Sequence, residues 1–207
     1  MASPAKERLI ESAIHVFAEG GYRGGKVADI VKGADANIAA VNYHFGSKDR
    51  LFVEALRQAH AEANRVYPSK GGLPSDAPAE EKIASIARAI LRRSLDQGKA
   101  GDFNRIMART MQVPGSPVEM ILKEVRGLEL TYLEQVLKGL LATESKPIIE
   151  WGKSIFLQLA TLVSKRPAPV SDLFPENPSP EQIEAMVEVQ VGVILAALKS
   201  LPNEFPN

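Results

Sequence analysis

The chain has 207 residues, 45% hydrophobic and 24% charged, which supplies a real core and excludes a disordered or fibrous protein. Cysteine is absent, so a disulfide framework, a thiolate nucleophile and a Cys-ligated metal are all excluded, and a reducing compartment fits. Formal net charge is zero, and residues 1–70 hold ten Lys/Arg against eight Asp/Glu, so any footprint on nucleic acid has to be a small patch.

Residues 1–6 carry no apolar signal-like run. Nowhere do eighteen apolar residues follow one another, the minimum for a spanning helix. The expectation is a cytoplasmic chain with no membrane partner.

A first helix is predicted from Ala5 to Glu19. Leu9, Ala13, Val16 and Phe17 recur at helical spacing, and Gly20-Gly21 ends the run. A short second helix fits Lys26 to Lys32, closed by Gly33. After a tight turn, Asn37 stands where an N-cap belongs, before a helix over 38–44. Two short helices joined by a few residues, after a longer one, suggest a helix-turn-helix unit. Gly46 breaks that helix and Ser47 caps a fourth, Lys48 to about Val66, through Leu51, Phe52, Ala55 and Leu56. Residues 67–79 hold five Pro and Gly and predict a loop.

The rest predicts an all-helical body: Glu80–Leu95, Asp102–Met111, an interruption at 114–117, Val118–Leu141, Pro147–Val163, a proline-rich loop over 166–180, and Pro180–Leu201. The domains expected are a head, 1–50, and a regulatory and dimerisation body, 51–207, with helix 48–66 connecting the two. No internal repeat and no strand alternation is visible.

DNA is gripped by basic groups and helix N-termini, and read by side chains on a protruding helix. Residues 38–44 suit the reading helix. Ala39 and Ala40 let the backbone approach, Asn42 offers an amide for adenine, and Tyr43 offers a ring and a hydroxyl. Lys26 and Lys48 begin the flanking helices, where cations can meet phosphate. Two roles stay open for several of these residues. His44 is a packed histidine or a backbone contact, Tyr43 a core or a DNA residue, Asn42 a surface residue or a base reader, and Asn37 a cap before a base reader.

The stretch from Asn37 to Phe52, Asn-Ile-Ala-Ala-Val-Asn-Tyr-His-Phe-Gly-Ser-Lys-Asp-Arg-Leu-Phe, resembles the signature of the TetR family of bacterial transcriptional regulators. The wider match covers roughly residues 6–56 and includes Ala13, Phe17, Gly21-Tyr22, Asp29-Ile30 and Ala34; Tyr43, Phe45, Lys48 and Leu51 match most sharply. Residues 37–43 and the segment from Arg109 to Pro114 are also similar to the CecR-like subgroup. The resemblance implies a dimer on a palindromic double-stranded operator, usually as a repressor, released by a ligand in the C-terminal body. It implies phosphate contacts at Tyr43, His44 and Lys48, a groove-facing surface at Ala39, Ala40 and Asn42, and a core position at Phe45. The sequence departs from the pattern twice. Gly25-Lys26 stands where a Thr/Ser pair is usual, and Asp35 replaces the usual turn glycine, where a left-handed turn costs more.

In the body, the last helix carries a stripe of Ile183, Val187, Val191, Ile194, Leu198 and Leu201, widened by Met186, Val189, Val193 and Ala197. A helix apolar on so much of its surface needs more than one partner. With Ile155 and Leu159 of the preceding helix, this stripe is expected at a homodimer interface; a monomeric core helix is the alternative. Phe103, Met107, Arg109, Met111, Tyr132 and Trp151 are candidates for the pocket of an unidentified hydrophobic or amphipathic effector, against plain core for the Met and aromatic side chains; Met120, Arg105 and Gln158 extend the set. The three histidines, His15, His44 and His60, form no cluster by spacing, and no hydrolase, metalloprotease, P-loop or dinucleotide motif occurs. No enzyme, cofactor or metal is expected, and a helical interaction module is the remaining rival.

Overall fold

A computed structural model describes residues 3–70, 72–110, 127–162 and 178–204. Among the described residues the regular structure is entirely helical: α1 (Pro4–Gly24), α2 (Val27–Gly33), α3 (Ile38–Phe45), α4 (Lys48–Val66), α5 (Ala79–Leu95), a 3-10 turn (Lys99–Gly101), α6 (Asp102–Thr110), α7 (Gly127–Leu141), α8 (Lys146–Leu162) and α9 (Pro180–Glu204). The 114–117 interruption, the expected helix start at Val118, Met111, Met120, Val163 and the loop over 166–177 lie outside the described residues.

The described residues form two compact units: 3–66 with 96–110, and 67–95 with 127–204. All of α4 belongs to the first unit, and so do the 3-10 turn and α6. The expected division fell at residue 50. Phe103, Ile106 and Met107 are the reason α6 joins the first unit, because they are buried in one core with Leu9, Phe17, Phe52 and Leu56.

In α1 the positions Leu9, Ala13, Phe17 and Gly21 follow one another at intervals of four and form one buried stripe. The expected glycine stop is real. At Gly21 the backbone leaves the helix with φ 62° and ψ −172°, a conformation that L side chains rarely adopt. Side chains of α1 then fix α2. Ser12 Oγ donates to the Ile30 carbonyl at 2.8 Å, and Arg8 Nε donates to the Ala34 carbonyl at 3.1 Å. Both acceptors lie in the last turn and cap of α2, and the Ile30 carbonyl, which also accepts from the Ala34 N–H, takes the Ser12 hydroxyl as a second donor. The Ser12 hydroxyl also requires a glycine at 33, since a Cβ there would lie 2.5 Å from it.

Phe17 sits edge-on to Phe52 of α4, with ring centroids 4.8 Å apart. Contacts of this geometry add about 0.5–1.5 kcal/mol beyond the area they bury. The same ring explains Gly25, one of the two departures from the family pattern. A Cβ at 25 would lie 2.4 Å from Phe17 Cδ1, and Phe17 is fully buried and cannot withdraw. The residue is there for space, since its own φ of −69° suits any side chain. At the other departure, Asp35 adopts φ 46°. The left-handed turn is therefore kept without glycine, and aspartate is among the few residues that tolerate it.

The second unit packs α5, α7, α8 and α9 around Ile83, Leu91, Leu137, Phe156, Val187, Val191, Ile194 and Leu198. Two fork-like ion pairs join α5 to α9 on its surface: Arg88 Nε to Glu188 at 2.6 Å and Arg92 Nη2 to Glu184 at 2.6 Å. The Arg88 guanidinium holds the Glu188 carboxyl below the usual carboxylate range. Inside, Arg93 is buried and donates twice to the Tyr67 carbonyl, at 3.1 and 2.6 Å.

Gly25→Ala is expected to destabilise the protein by about 1–3 kcal/mol, the usual cost of forcing an extra methyl group into a filled core. Gly24→Ala, where a Cβ meets nothing within 4 Å, is the matched control. Urea unfolding of the two variants checks the difference; equal midpoints would contradict the packing described for Phe17.

Candidate nucleic-acid interface

The short helix α3 is held by one side only. Val41 and Phe45 are buried in the core of the first unit, while Ala39 and Asn42 are exposed and Tyr43 is 85% exposed. Ile38 is 56% exposed. Ala40 and His44 are half-buried. This segregation answers one open role, since Tyr43 is not a core residue, and Phe45 is buried as the resemblance implies.

Both ends of α3 are closed locally. Asn37 Oδ1 accepts from the Ala40 N–H at 2.9 Å, so Asn37 is the N-cap. Such a cap contributes about 1 kcal/mol. Gly46 ends the helix with φ 76°, and its N–H donates to the carbonyls of Asn42 and Val41. The chain then turns at Ser47, whose Oγ accepts from the Arg50 N–H at 3.2 Å and starts α4. Lys26 is exposed at the N-cap of α2 but makes no side-chain cap bond, so the usual capping hydroxyl is not replaced in kind.

Lys48 and Asp49, opposite in charge, are the first two residues of α4. Tyr22, just past the kink of α1, meets both. Lys48 Nζ stands 4.6 Å from the Tyr22 ring centroid, and the Tyr22 hydroxyl donates to an Asp49 carboxylate oxygen. The same ring is edge-on to Phe52, at 5.1 Å. Burial pushes the Lys48 ammonium down, and the Asp49 charge opposes that. Burial also pushes the Tyr22 hydroxyl up to about 12, with the hydrogen bond and the charge of Asp49 acting in the same direction. Further basic groups lie nearby: Lys6 Nζ is 5.8 Å from the Phe45 ring centroid.

Sequence reasoning placed Lys48 at the surface beside the reading helix but gave Tyr22 no role. Their separation of 26 residues leaves no local spacing to see; only an aromatic at the end of one helix and a lysine at the start of another hinted at it.

The described residues expected at an effector pocket are divided between the two units, Phe103, Met107 and Arg109 in the first and Tyr132 and Trp151 in the second. Phe103 and Met107 are core residues of the first unit, with the His60 ring 4.7 Å from Phe103. Arg109 is exposed, and its Cβ and backbone approach the space beside Gly21. Arg105 is bound to its own turn, donating to the Asp96 and Gly98 carbonyls and to Asp102. In the second unit Tyr132 is half-buried with Lys70 Nζ 5.2 Å from its ring centroid, Trp151 is 52% exposed, and Gln158 donates to Ser154 Oγ. A cleft of about 530 Å³ does open in the first unit, between α1, α4 and the 3-10 turn. It is lined by Ile14, His15, Gln58, Ala59 and Ala61 together with the charged Glu11, Glu62, Arg65, Lys99 and Asp102, and none of the described residues expected at a pocket lines it.

The expected dimer stripe is likewise turned inward. Val187, Val191, Ile194 and Leu198 are buried against α5, α7 and α8 of the same chain, and Ile155, Leu159 and Ile183 are half-buried beside them. The opposite face of α9 is open: Val189 is 69% and Val193 45% exposed, and Gly192 and Ala196 are exposed between and beyond them. Among the described residues no helix is long and apolar enough to cross a membrane, and no group of three His, Asp or Glu side chains is placed to hold a metal ion.

Residues 9–55 match the family model of bacterial regulatory proteins, tetR family. The chain is similar to the HTH-type transcriptional repressor NicS of Pseudomonas putida, 31% identical over 64 residues that make up 31% of this chain and 30% of that protein. It is also similar to the probable HTH-type transcriptional regulator YttP of Bacillus subtilis, 26% identical over 44% of each chain. The matches thus span less than half the length of these curated relatives. The fold is similar from end to end to the crystal structure of a transcriptional regulator from Rhodococcus sp. Rha1, with a TM-score of 0.64 and 25% identity over 95% of this chain and 97% of that one.

The raised Tyr22 pKa means that the folded head favours the neutral phenol. The stabilisation is complete below pH 10 and is lost as the pH climbs from there through about 12. Ultraviolet titration of the folded protein is expected to show a phenolate step near pH 12 that disappears in Tyr22→Phe; its survival in the variant would assign it elsewhere.

Proposed function

We propose that this chain is a TetR-family regulator that binds a palindromic operator as a homodimer and represses transcription until a small molecule releases it; the match over residues 9–55 and the all-helical architecture support the reading. The observation that carries the reading is the one-sided anchoring of α3. Asn42 and Tyr43 stand in the open on a helix whose other face is pinned by Val41 and Phe45, with Lys48 at its flank. A wide groove admits a helix presented this way.

The residues take distinct roles in this reading. Ala39 and Ala40 let the backbone come close to the bases, Asn42 reads a base edge, and Tyr43, His44, Lys48 and Lys26 hold phosphates. Asn37 acts through its cap, which fixes the helix that the others use. A duplex offers equivalent groove faces about 34–36 Å apart, so two heads related by two-fold symmetry can read a palindrome. Residues 1–70 carry a formal charge of only +2, so a single head grips weakly, and pairing raises the effective concentration at the other half-site.

For the dimer we favour the open face of α9, with Val189 and Val193 one turn apart and Gly192 and Ala196 allowing close approach. The effector is a hydrophobic or amphipathic small molecule that must bind the two conformations unequally to switch anything. Placement in the CecR-like subgroup rests only on the sequence pattern of residues 37–43 and of the segment 109–114, and a cytoplasmic location follows from the regulatory role.

Footprinting on the DNA flanking its gene is expected to show a protected palindrome. On that site Lys48→Ala should weaken binding on all sequences alike and lower the salt slope by about 1. Asn42→Ala should instead relax preference at one or two base positions, by about 1–3 kcal/mol each. Unchanged affinity and selectivity in both variants would refute the docking. Val193→Glu should convert the dimer to monomer in sedimentation velocity at micromolar concentration; a variant that sediments like the parent would move the interface off this face.

A further inference from the structure

We propose that Tyr22 is a positioning residue for DNA binding: its ring carries the Lys48 ammonium while its hydroxyl draws the Asp49 carboxylate aside, leaving the cation to meet phosphate. The inference rests on the reading of the head as a DNA-binding surface. Lys48 and Asp49 are consecutive, so without a device that separates them a phosphate meets a neutral pair. Lysine is also poorly placed at the start of a helix, where the backbone presents partial positive charge. Both problems have one answer in the geometry. The Tyr22 ring face, which is electron-rich, lies 4.6 Å from Lys48 Nζ. The hydroxyl at the far end of the same ring donates to the Asp49 carboxylate.

The ring is itself held. Phe52 meets it edge-on at 5.1 Å, and Phe17 meets Phe52 edge-on at 4.8 Å, so the platform is an outcrop of the core. The Tyr22 N–H donates to the buried Thr110 Oγ1 at 3.3 Å, which fixes the backbone beneath it. Gly21, with φ 62°, supplies the turn that brings Tyr22 to α4 instead of onward along α1.

A labelled mixed-sequence duplex at several salt concentrations is the probe, because a phosphate contact needs no operator. Tyr22→Leu is expected to weaken binding by about two- to fivefold, the value of such a cation contact at a partly exposed site. The salt slope should fall by up to about 1, as in Lys48→Ala. In the Lys48→Ala background the same change should have almost no effect. Tyr22→Phe keeps the ring and frees Asp49; it should weaken binding, and Asp49→Asn in the same chain should restore it. A role confined to folding would lower thermal stability and cost the same affinity in both Lys48 backgrounds, and that result overturns the proposal. Should Tyr22→Leu fail to fold, the rescue of Tyr22→Phe by Asp49→Asn decides: no rescue refutes it. Binding that depends on Lys48 but ignores every Tyr22 variant overturns this inference alone. A parent chain that does not bind duplex DNA overturns the DNA-binding reading, and this inference with it.

Discussion

The edge-on contact between Phe17 and Phe52 sets the geometry of the head. It joins α1 to α4, and everything else in the first unit is placed relative to those two helices. The ring of Phe17 leaves no room for a side chain at Gly25, which fixes where the chain enters α2. The ring of Phe52 supports Tyr22, which meets the start of α4. A single aromatic pair therefore defines the approach to the second helix and the floor beneath Lys48. The cost is a narrow tolerance: a side chain added at 25 presses on Phe17, and Phe17 rests on Phe52.

The exposed surface follows from the same frame. The helix α3 is only eight residues long, too short to be stable in isolation. It persists because Val41 and Phe45 are buried, Asn37 caps one end and Gly46 closes the other. Only then can Asn42 and Tyr43 remain in water on a helix that keeps its shape. Tyr43, 85% exposed, adds little to the core and leaves its ring and hydroxyl accessible. The cation that flanks it is kept in place by an aromatic face.

Much of this was legible in the sequence. The caps at Asn37 and Ser47, the glycine break in α1 and the bounds of α4 follow from local rules, and local rules act through neighbours a few residues away. The family pattern supplied the exposure of Tyr43 and the burial of Phe45. What escaped were pairings across distance. Helical periodicity says which residues share a face, but not which helix that face meets. In α9 both faces are apolar, so the pattern could not tell that Val187, Val191, Ile194 and Leu198 turn toward their own chain while Val189 and Val193 stay open. Phe103 and Met107 were pocket candidates with plain core the favoured reading, and their place in one core with Phe52 depends on α6 returning to the first unit. Gly25 looked only like a departure from a usual Thr/Ser pair; its reason is a ring eight residues earlier.

The two forks between α5 and α9 act as a vernier. Arg88 and Arg92 lie one turn apart, as do Glu184 and Glu188, and the helices run in opposite directions, so the pairs match in one alignment only. Sliding α9 by one turn, about 5.4 Å, would bring Gly192 opposite Arg88 or Pro180 opposite Arg92, and one fork would be left empty. Exposed ion pairs add little to stability, about 0–1 kcal/mol each. Their value here is informational: they tell two helices with long, nearly featureless aliphatic seams how far along each other to stop.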